Sequence, residues 1–260
     1  MSKNITDDEL IHHKKQAIKK LNKTFETFIN SPNSRHKKKA DLIAYWIEVY
    51  SKYLANEERY DYSKLPAYKR GEVVSVNFGF NVGSEQGGLH YAIVLDNDNK
   101  KNSRVITVIP LSSGNEEKTH ERDVYLGNEL HDKLMAKYEK FNSKVESELT
   151  DAKKMLEIVK RSIRATSTTD FDDEIQEIFE DLSKRIDLLQ QEKGTLGMYK
   201  REISKLKEGS IALMEQITTI SKMRIYKPKN SHDLLYGMKF SDGAMDKINE
   251  KIQELYVHKK

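Results

Sequence analysis

A chain of 260 residues, 37% hydrophobic and 33% charged, has room for one or two small domains with buried cores and none for a large modular assembly. Its 45 basic and 41 acidic residues nearly balance at a formal +4, which points to long solvated helices rather than a polybasic arm; nucleic-acid binding is allowed but not demanded. The lack of cysteine excludes disulfides, thiol catalysis and Cys-based zinc sites, and no apolar run approaches the ~20 residues that cross a bilayer, so the expectation is a soluble, cytoplasmic protein with no membrane partner.

Thr6-Asp7-Asp8-Glu9 has the spacing of a capping box, and Leu10, Ile11, Ala17, Ile18, Leu21, Phe25 and Phe28 recur behind it at helical intervals. Asn30-Ser31-Pro32-Asn33-Ser34 then supplies turn formers and a proline that cannot continue the helix. A second apolar stripe follows at Ile43, Trp46, Ile47, Tyr50 and Leu54, so residues 1–66 are expected to hold a helical pair. His12, His13 and His36 make no metal site, because adjacent histidines on a helix point about 100° apart and no carboxylate has ligand spacing.

After Pro66 the period changes. Val74, Val76 and Phe78 alternate with Ser75 and Asn77, as in a half-buried strand. Tyr91 to Leu95 and Val105 to Ile109 read as further strands around a turn-rich loop, and Val124 to Leu126 as another. From Leu130 onward, Leu134, Tyr138, Phe141, Val145, Leu149, Ala152, Leu156, Val159 and Ile163 alternate spacings of three and four. Ala165 to Asp173 breaks that run, and Phe171, Ile175, Ile178, Leu182, Ile186, Leu189, Leu196, Ile203 and Leu206 resume it more loosely. An antiparallel coiled-coil hairpin is expected over 128–208, each arm on the order of 50 Å long at the helical rise. Its two ends lie close together, so it can interrupt a small β domain made of 67–127 and 209–260. Ile211 to Met214 is again short and apolar, and Met245, Ile248, Ile252 and Leu255 close the chain with a helix started by Ser241-Asp242-Gly243. The fold class is α+β.

Gly83-Ser84-Glu85-Gln86-Gly87-Gly88 lies between two of these strands. Three glycines in six residues permit positive φ and close approach of a ligand backbone, although a plain hairpin tip has the same composition. Neither a dinucleotide nor a P-loop fingerprint is present. Extended to residues 83–98, the stretch GSEQGGLHYAIVLDND resembles the signature of MazF/PemK toxins. Arg70-Gly71-Glu72-Val73-Val74 resembles that family's opening R-G-D/E-V strand, and Val108-Ile109-Pro110-Leu111-Ser112-Ser113 its P-I/L-T/S strand end. Leu213 to Ile220 resembles its L-x-Q-I-x-T-I strand. The four motifs come in family order and cover about 70–127 and 209–225.

The resemblance implies an SH3-like barrel, usually a homodimer, that cuts single-stranded RNA by attack of a ribose 2′-hydroxyl on the adjacent phosphate. It implies no metal or other cofactor, and an antitoxin protein partner in a type II toxin-antitoxin or related defence system. Such a reaction needs a base, an acid and donors to the phosphoryl oxygens. The family places an arginine after the double glycine and a threonine at the later strand end; the matching positions here are His90 and Ser112. Histidine, with an ordinary pKa of about 6.5, exchanges protons near neutrality but lacks the bidentate fork of arginine. Ser112 keeps the hydroxyl donor for the scissile phosphate, and Ser113 takes that place if the loop aligns differently.

Around that pair, Glu85 is expected to orient His90 or bind antitoxin, unless it is only an exposed turn carboxylate. His120, in a segment resembling the family's T-H-V-E, is a second proton carrier or a solvated strand residue. Ser84, Gln86, Asn97, Gln216 and Thr219 carry amides and hydroxyls suited to reading base edges or backbone. Lys69, Arg70 and Arg122 are expected to neutralise phosphate, a task a solvated charged face would mimic. Two other readings remain open: a non-catalytic MazF/PemK-fold module binding a protein, such as antitoxin or gyrase, or nucleic acid; and a coiled-coil scaffold.

Overall fold

The computed structural model describes residues 5–165, 173–206 and 209–258. Its contacts divide the chain into two compact units, Met1–Tyr60 with Phe78–Gly88, and Asp61–Asn77 with Leu89–Lys260.

In the first unit, helices α1 (Asp7–Ile29) and α2 (Ser34–Asn56) flank the Pro32 turn. The capping box forms in both directions: Thr6 Oγ1 accepts from the Glu9 N–H at 3.3 Å, and the Glu9 carboxylate accepts from the Thr6 N–H at 3.0 Å. Asn33 caps α2 by accepting from the Arg35 N–H at 2.9 Å. His36 lies 2.8 Å from Ser31 Oγ inside the turn, a structural use of that imidazole. The loop 78–88 is the unit's remaining part, and Trp46 of α2 packs on it so closely that a Cβ at Gly79 would lie 2.6 Å from the indole. Gly79 also has φ +81°, which an L side chain rarely adopts. Lys39 sits over the rings of Phe28 and Phe80 at 5.3 and 5.8 Å.

The second unit is built on an antiparallel sheet of β1 (Val73–Asn77), β2 (Leu89–Val94), β3 (Val105–Ser113), β4 (Val124–Tyr125), β5 (Ser210–Ala212), β6 (Thr218–Ser221) and β7 (Ile225–Lys227). The order is β4-β5-β3-β2-β1-β7, with β6 also paired to β3. Long helices α3 (Glu129–Ala165) and α4 (Asp173–Ile203) lead away from β4 and return toward β5, and α5 (Asp242–Tyr256) closes the chain, which makes the class α+β. Two ion pairs link the long helices in opposite senses, Glu146 to Lys193 at 3.2 Å and Glu148 to Arg185 at 2.5 Å. Val145, Leu149, Ala152, Ile186, Leu189 and Leu196 are buried with the sheet core in one apolar cluster. The break expected between the arms falls, apart from its ends, outside the described residues.

Three departures from the sequence expectations have local causes. First, β3 runs through Pro110 to Ser113, since proline costs the ladder only its missing N–H and the Pro110 carbonyl still accepts from the Leu213 N–H at 3.0 Å. Second, Ser75 is buried at 7% exposure, because β1 is covered on both faces rather than half-solvated. Third, β7 is only three residues long, too short for alternation to register.

Glu129 fastens α3 to α5. Its carboxylate accepts from the N–H and hydroxyl of the α5 cap Ser241 at 2.5 and 2.8 Å and from Lys133 at 2.6 Å. Partial burial alone would raise its pKa, but these bonds outweigh burial and hold it below the ordinary glutamate range. Among the described residues, no helix is long and apolar enough to cross a membrane.

Candidate functional site

The second unit contains a cavity of about 470 Å³ between the sheet and the bases of α3 and α4. Half-buried His90 lies on β2, opposite Val76 of β1, and lines it. Ser112 and Ser113, at the end of β3, line it too. The β2–β3 ladder pairs Val94, Ile93 and Ala92 with Val108, Ile109 and Pro110 and stops short of His90 and Ser112. There β3 leaves β2 and pairs instead with β5, Ser112 meeting Ile211, so the ladder parts beside the cavity.

A second row crosses the sheet next to the first. Ser75 of β1 pairs with Tyr91 on one side and Lys227 of β7 on the other, and all three line the cavity. The opposite wall comes from α4: Lys227 Nζ is 4.5 Å from the centre of the Tyr199 ring and 3.9 Å from a Glu202 carboxylate oxygen. Tyr226 stands at the mouth, 55% exposed, its ring 5.8 Å from the same ammonium. Leu130, Leu134, Leu234 and Leu235 supply an apolar floor. Burial, and to a lesser degree the charge of Glu202, pushes the Tyr91 phenol up to about 12, so it stays protonated at neutral pH and can donate. The cavity lining thus includes residues that carry an imidazole, several hydroxyls, one ammonium and aromatic rings, and the period-two alternation of the strands sets Tyr91 and Leu111 on one sheet face and His90 and Ser112 on the other.

The other expected site residues stand elsewhere. Arg70 donates to the Leu95 carbonyl and, at 2.5 Å, to Asn249 Oδ1, tying β1 to the end of β2 and to α5. Arg122 pairs with Glu215 at 2.5 Å, and exposed Lys69 lies outside the cavity lining. His120 lines a separate depression with Asp123, Lys247, Glu250 and Lys251, where its Nδ1 accepts from the Arg122 N–H at 3.3 Å. Burial raises the pKa of Asp123 there, against the opposing bond from the Met214 N–H. Thr219 shares a hydrogen bond with Thr107 across β6 and β3 at 3.1 Å; Gln216 is half-buried in the turn before β6, and Asn97 is exposed in the loop after β2. Ser84, Glu85 and Gln86 belong to the first unit. Glu85 accepts from the Val82 N–H at 3.4 Å, and the Gln86 carbonyl accepts from Asn81 at 2.6 Å. Among the described residues, no cluster of three or more His, Asp and Glu is placed to hold a metal ion.

Sequence reasoning missed Tyr91, Lys227, Tyr199 and Glu202. Tyr91 was visible only as a strand residue, and Lys227 sits on a strand of three residues. Tyr199 and Glu202 come from the return helix, whose apolar period advertises packing and says nothing of the polar residues beside it.

Compared with known proteins, residues 69–186 match the profile of the family described as PemK-like, MazF-like toxin of type II toxin-antitoxin system. No curated protein matches the chain.

Proposed function

We propose, from the match of residues 69–186 to the PemK-like, MazF-like toxins of type II toxin-antitoxin systems, that the chain is a metal-independent endoribonuclease of that family acting on single-stranded RNA. The sheet strands are read as one SH3-like barrel, interrupted by a coiled-coil hairpin and preceded by the helical pair, working as a cytoplasmic homodimer held in check by an antitoxin. The observation that supports this reading is that His90 and Ser112, 22 positions apart in sequence, line one cavity.

In that cavity a ribose 2′-hydroxyl gives up its proton and attacks the neighbouring phosphorus. The bond to the 5′-oxygen breaks, that oxygen takes a proton, and one product ends in a 2′,3′-cyclic phosphate. His90 carries one of these protons and solvent water exchanges the other. The hydroxyls of Ser112 and Tyr91 donate to the phosphoryl oxygens, and the Lys227 ammonium balances the charge that builds there.

The test is incubation of purified protein with single-stranded RNA in EDTA. Fragments ending in 2′,3′-cyclic phosphate are expected, and His90→Ala should slow their release by roughly 10²- to 10⁴-fold with melting unchanged. Cleavage that needs magnesium, or full activity in His90→Ala, would overturn the assignment. The apolar floor and the carboxylate of Glu202 favour one second reading, a non-catalytic binding module. Intact RNA after long incubation, with tight capture of a protein partner, would select it.

A further inference from the structure

We propose that α4 supplies a base-reading subsite in this cavity, in which Glu202 accepts from the Watson–Crick edge of a guanine stacked on Tyr226. The proposal rests on RNA being the ligand of the site, and it says which base the site prefers.

A cavity meant for a polyanion gains nothing from a carboxylate unless that carboxylate meets hydrogen-bond donors, because ionised Glu is an acceptor only. Glu202 is at the wall all the same, its side chain 47% exposed and one oxygen 3.9 Å from Lys227. Lys227 offsets its charge, so an anionic strand can approach, and the half-open carboxylate still faces incoming groups.

Unstacked RNA bases are read on their Watson–Crick edges. Guanine presents two adjacent donors there, N1–H and the N2 amino group, which match the two oxygens of one carboxylate. Cytosine and adenine each offer one amino donor beside a ring-nitrogen acceptor, and uracil sets its single N–H between two carbonyls. The last three would each bring a lone pair against Glu202; guanine alone brings none into the contact. Stacking is the second requirement. The Tyr199 ring is covered by Lys227 at 4.5 Å, whereas Tyr226 keeps 55% of its surface open at the mouth of the same cavity.

Tyr199, Glu202, Tyr226 and Lys227 all lie outside the stretch 69–186 that matches the family profile. The subsite is therefore built from the end of α4 and from β7, beyond the matched segment.

The experiment measures equilibrium binding of guanosine, adenosine, cytidine and uridine 5′-monophosphates to the full chain and to Glu202→Gln and Tyr226→Leu. Guanosine monophosphate should bind roughly 5- to 100-fold tighter than uridine monophosphate, the range expected of one bidentate base contact. Glu202→Gln should abolish that preference while uridine binding holds, and Tyr226→Leu should weaken all four together, since every base has a face to stack. Equal binding of the four by the unaltered chain, no binding of any, or a guanine preference that survives Glu202→Gln would each overturn the proposal. RNA cleavage in EDTA is scored separately: a chain that ranks guanine first yet leaves RNA intact keeps the subsite and loses the nuclease.

Discussion

The protein carries two helical pairs with the same signature in sequence, apolar residues every three or four positions, and they solve the burial of that stripe in opposite ways. Between α3 and α4 the stripe is covered over most of its length: Leu134, Leu189 and Ile203 are each 1% exposed, although Phe141 and Ile178 remain 44% and 46% exposed. Between α1 and α2 it is mostly bare. No described residue of α1 is buried, Ala40 alone is buried in α2, and Leu10 and Ile18 remain 57% and 58% exposed. Periodicity fixes a face of a helix but not its cover. The first pair is held by local devices, the capping box of α1, the Asn33 cap and turn bonds of α2, and the packing of Trp46 on the loop 78–88. The second is part of the main core and pairs Tyr199 and Glu202 with the cavity.

The contrast is broken most forcefully at the covered seam. Leu189→Ala removes a fully buried side chain and leaves a void, so a loss of about 2–5 kcal/mol is expected, read as an earlier denaturant midpoint for the second unit by circular dichroism. A loss under about 0.5 kcal/mol would mean the long helices part or repack without cost, and that their seam resembles the exposed one after all. The cross-arm pairs Glu146–Lys193 and Glu148–Arg185 are solvent-accessible and would contribute at most about 1 kcal/mol each, too little to compensate.

A smaller effect is expected where the first pair meets its loop. Gly79→Ala sets a Cβ about where the indole already stands and forces an L residue to φ +81°, so about 1–3 kcal/mol of local strain should detach the loop from α2. Trp46 is the only tryptophan in the chain, which makes its emission a reporter of that contact. A red shift with the circular dichroism of the second unit unchanged is the expected result; unchanged emission would show that Trp46 and the loop are not engaged as described.

How much of this was legible in sequence follows the range of the interactions. Signals acting over three or four residues were readable: the Thr6–Glu9 box, the stop at Pro32, the Ser241 cap, the two long helical periods. Signals that depend on partners far along the chain were not. Ser75 looked like the solvated position of an alternating strand, yet β1 is covered on both faces and Ser75 lines the cavity. Arg70 looked like a phosphate ligand, yet its guanidinium finds the Leu95 carbonyl and Asn249, the latter 179 residues away. His90 and Ser112 were picked out by family resemblance rather than by any pattern, and both stand among the lining residues of one cavity. Lys227 and Glu202 had no such guide, since one lies on a three-residue strand and the other on a helix whose period speaks only for its buried side.

The smallest expected effect is the most demanding test of the comparison. Ile18 of α1 is a large apolar residue in helical register, and by its pattern alone Ile18→Ser should cost as much as a core truncation. Its 58% exposure argues otherwise, because a side chain already in water gives up little transfer free energy on becoming polar. Stability should change by less than about 0.5 kcal/mol, the small difference in helix propensity included. Denaturation of the full chain by urea, followed through Trp46 emission for the first unit and circular dichroism for the whole, would measure it. A loss of about 2 kcal/mol or more would mean the α1 stripe is covered in solution by a surface from outside the first unit.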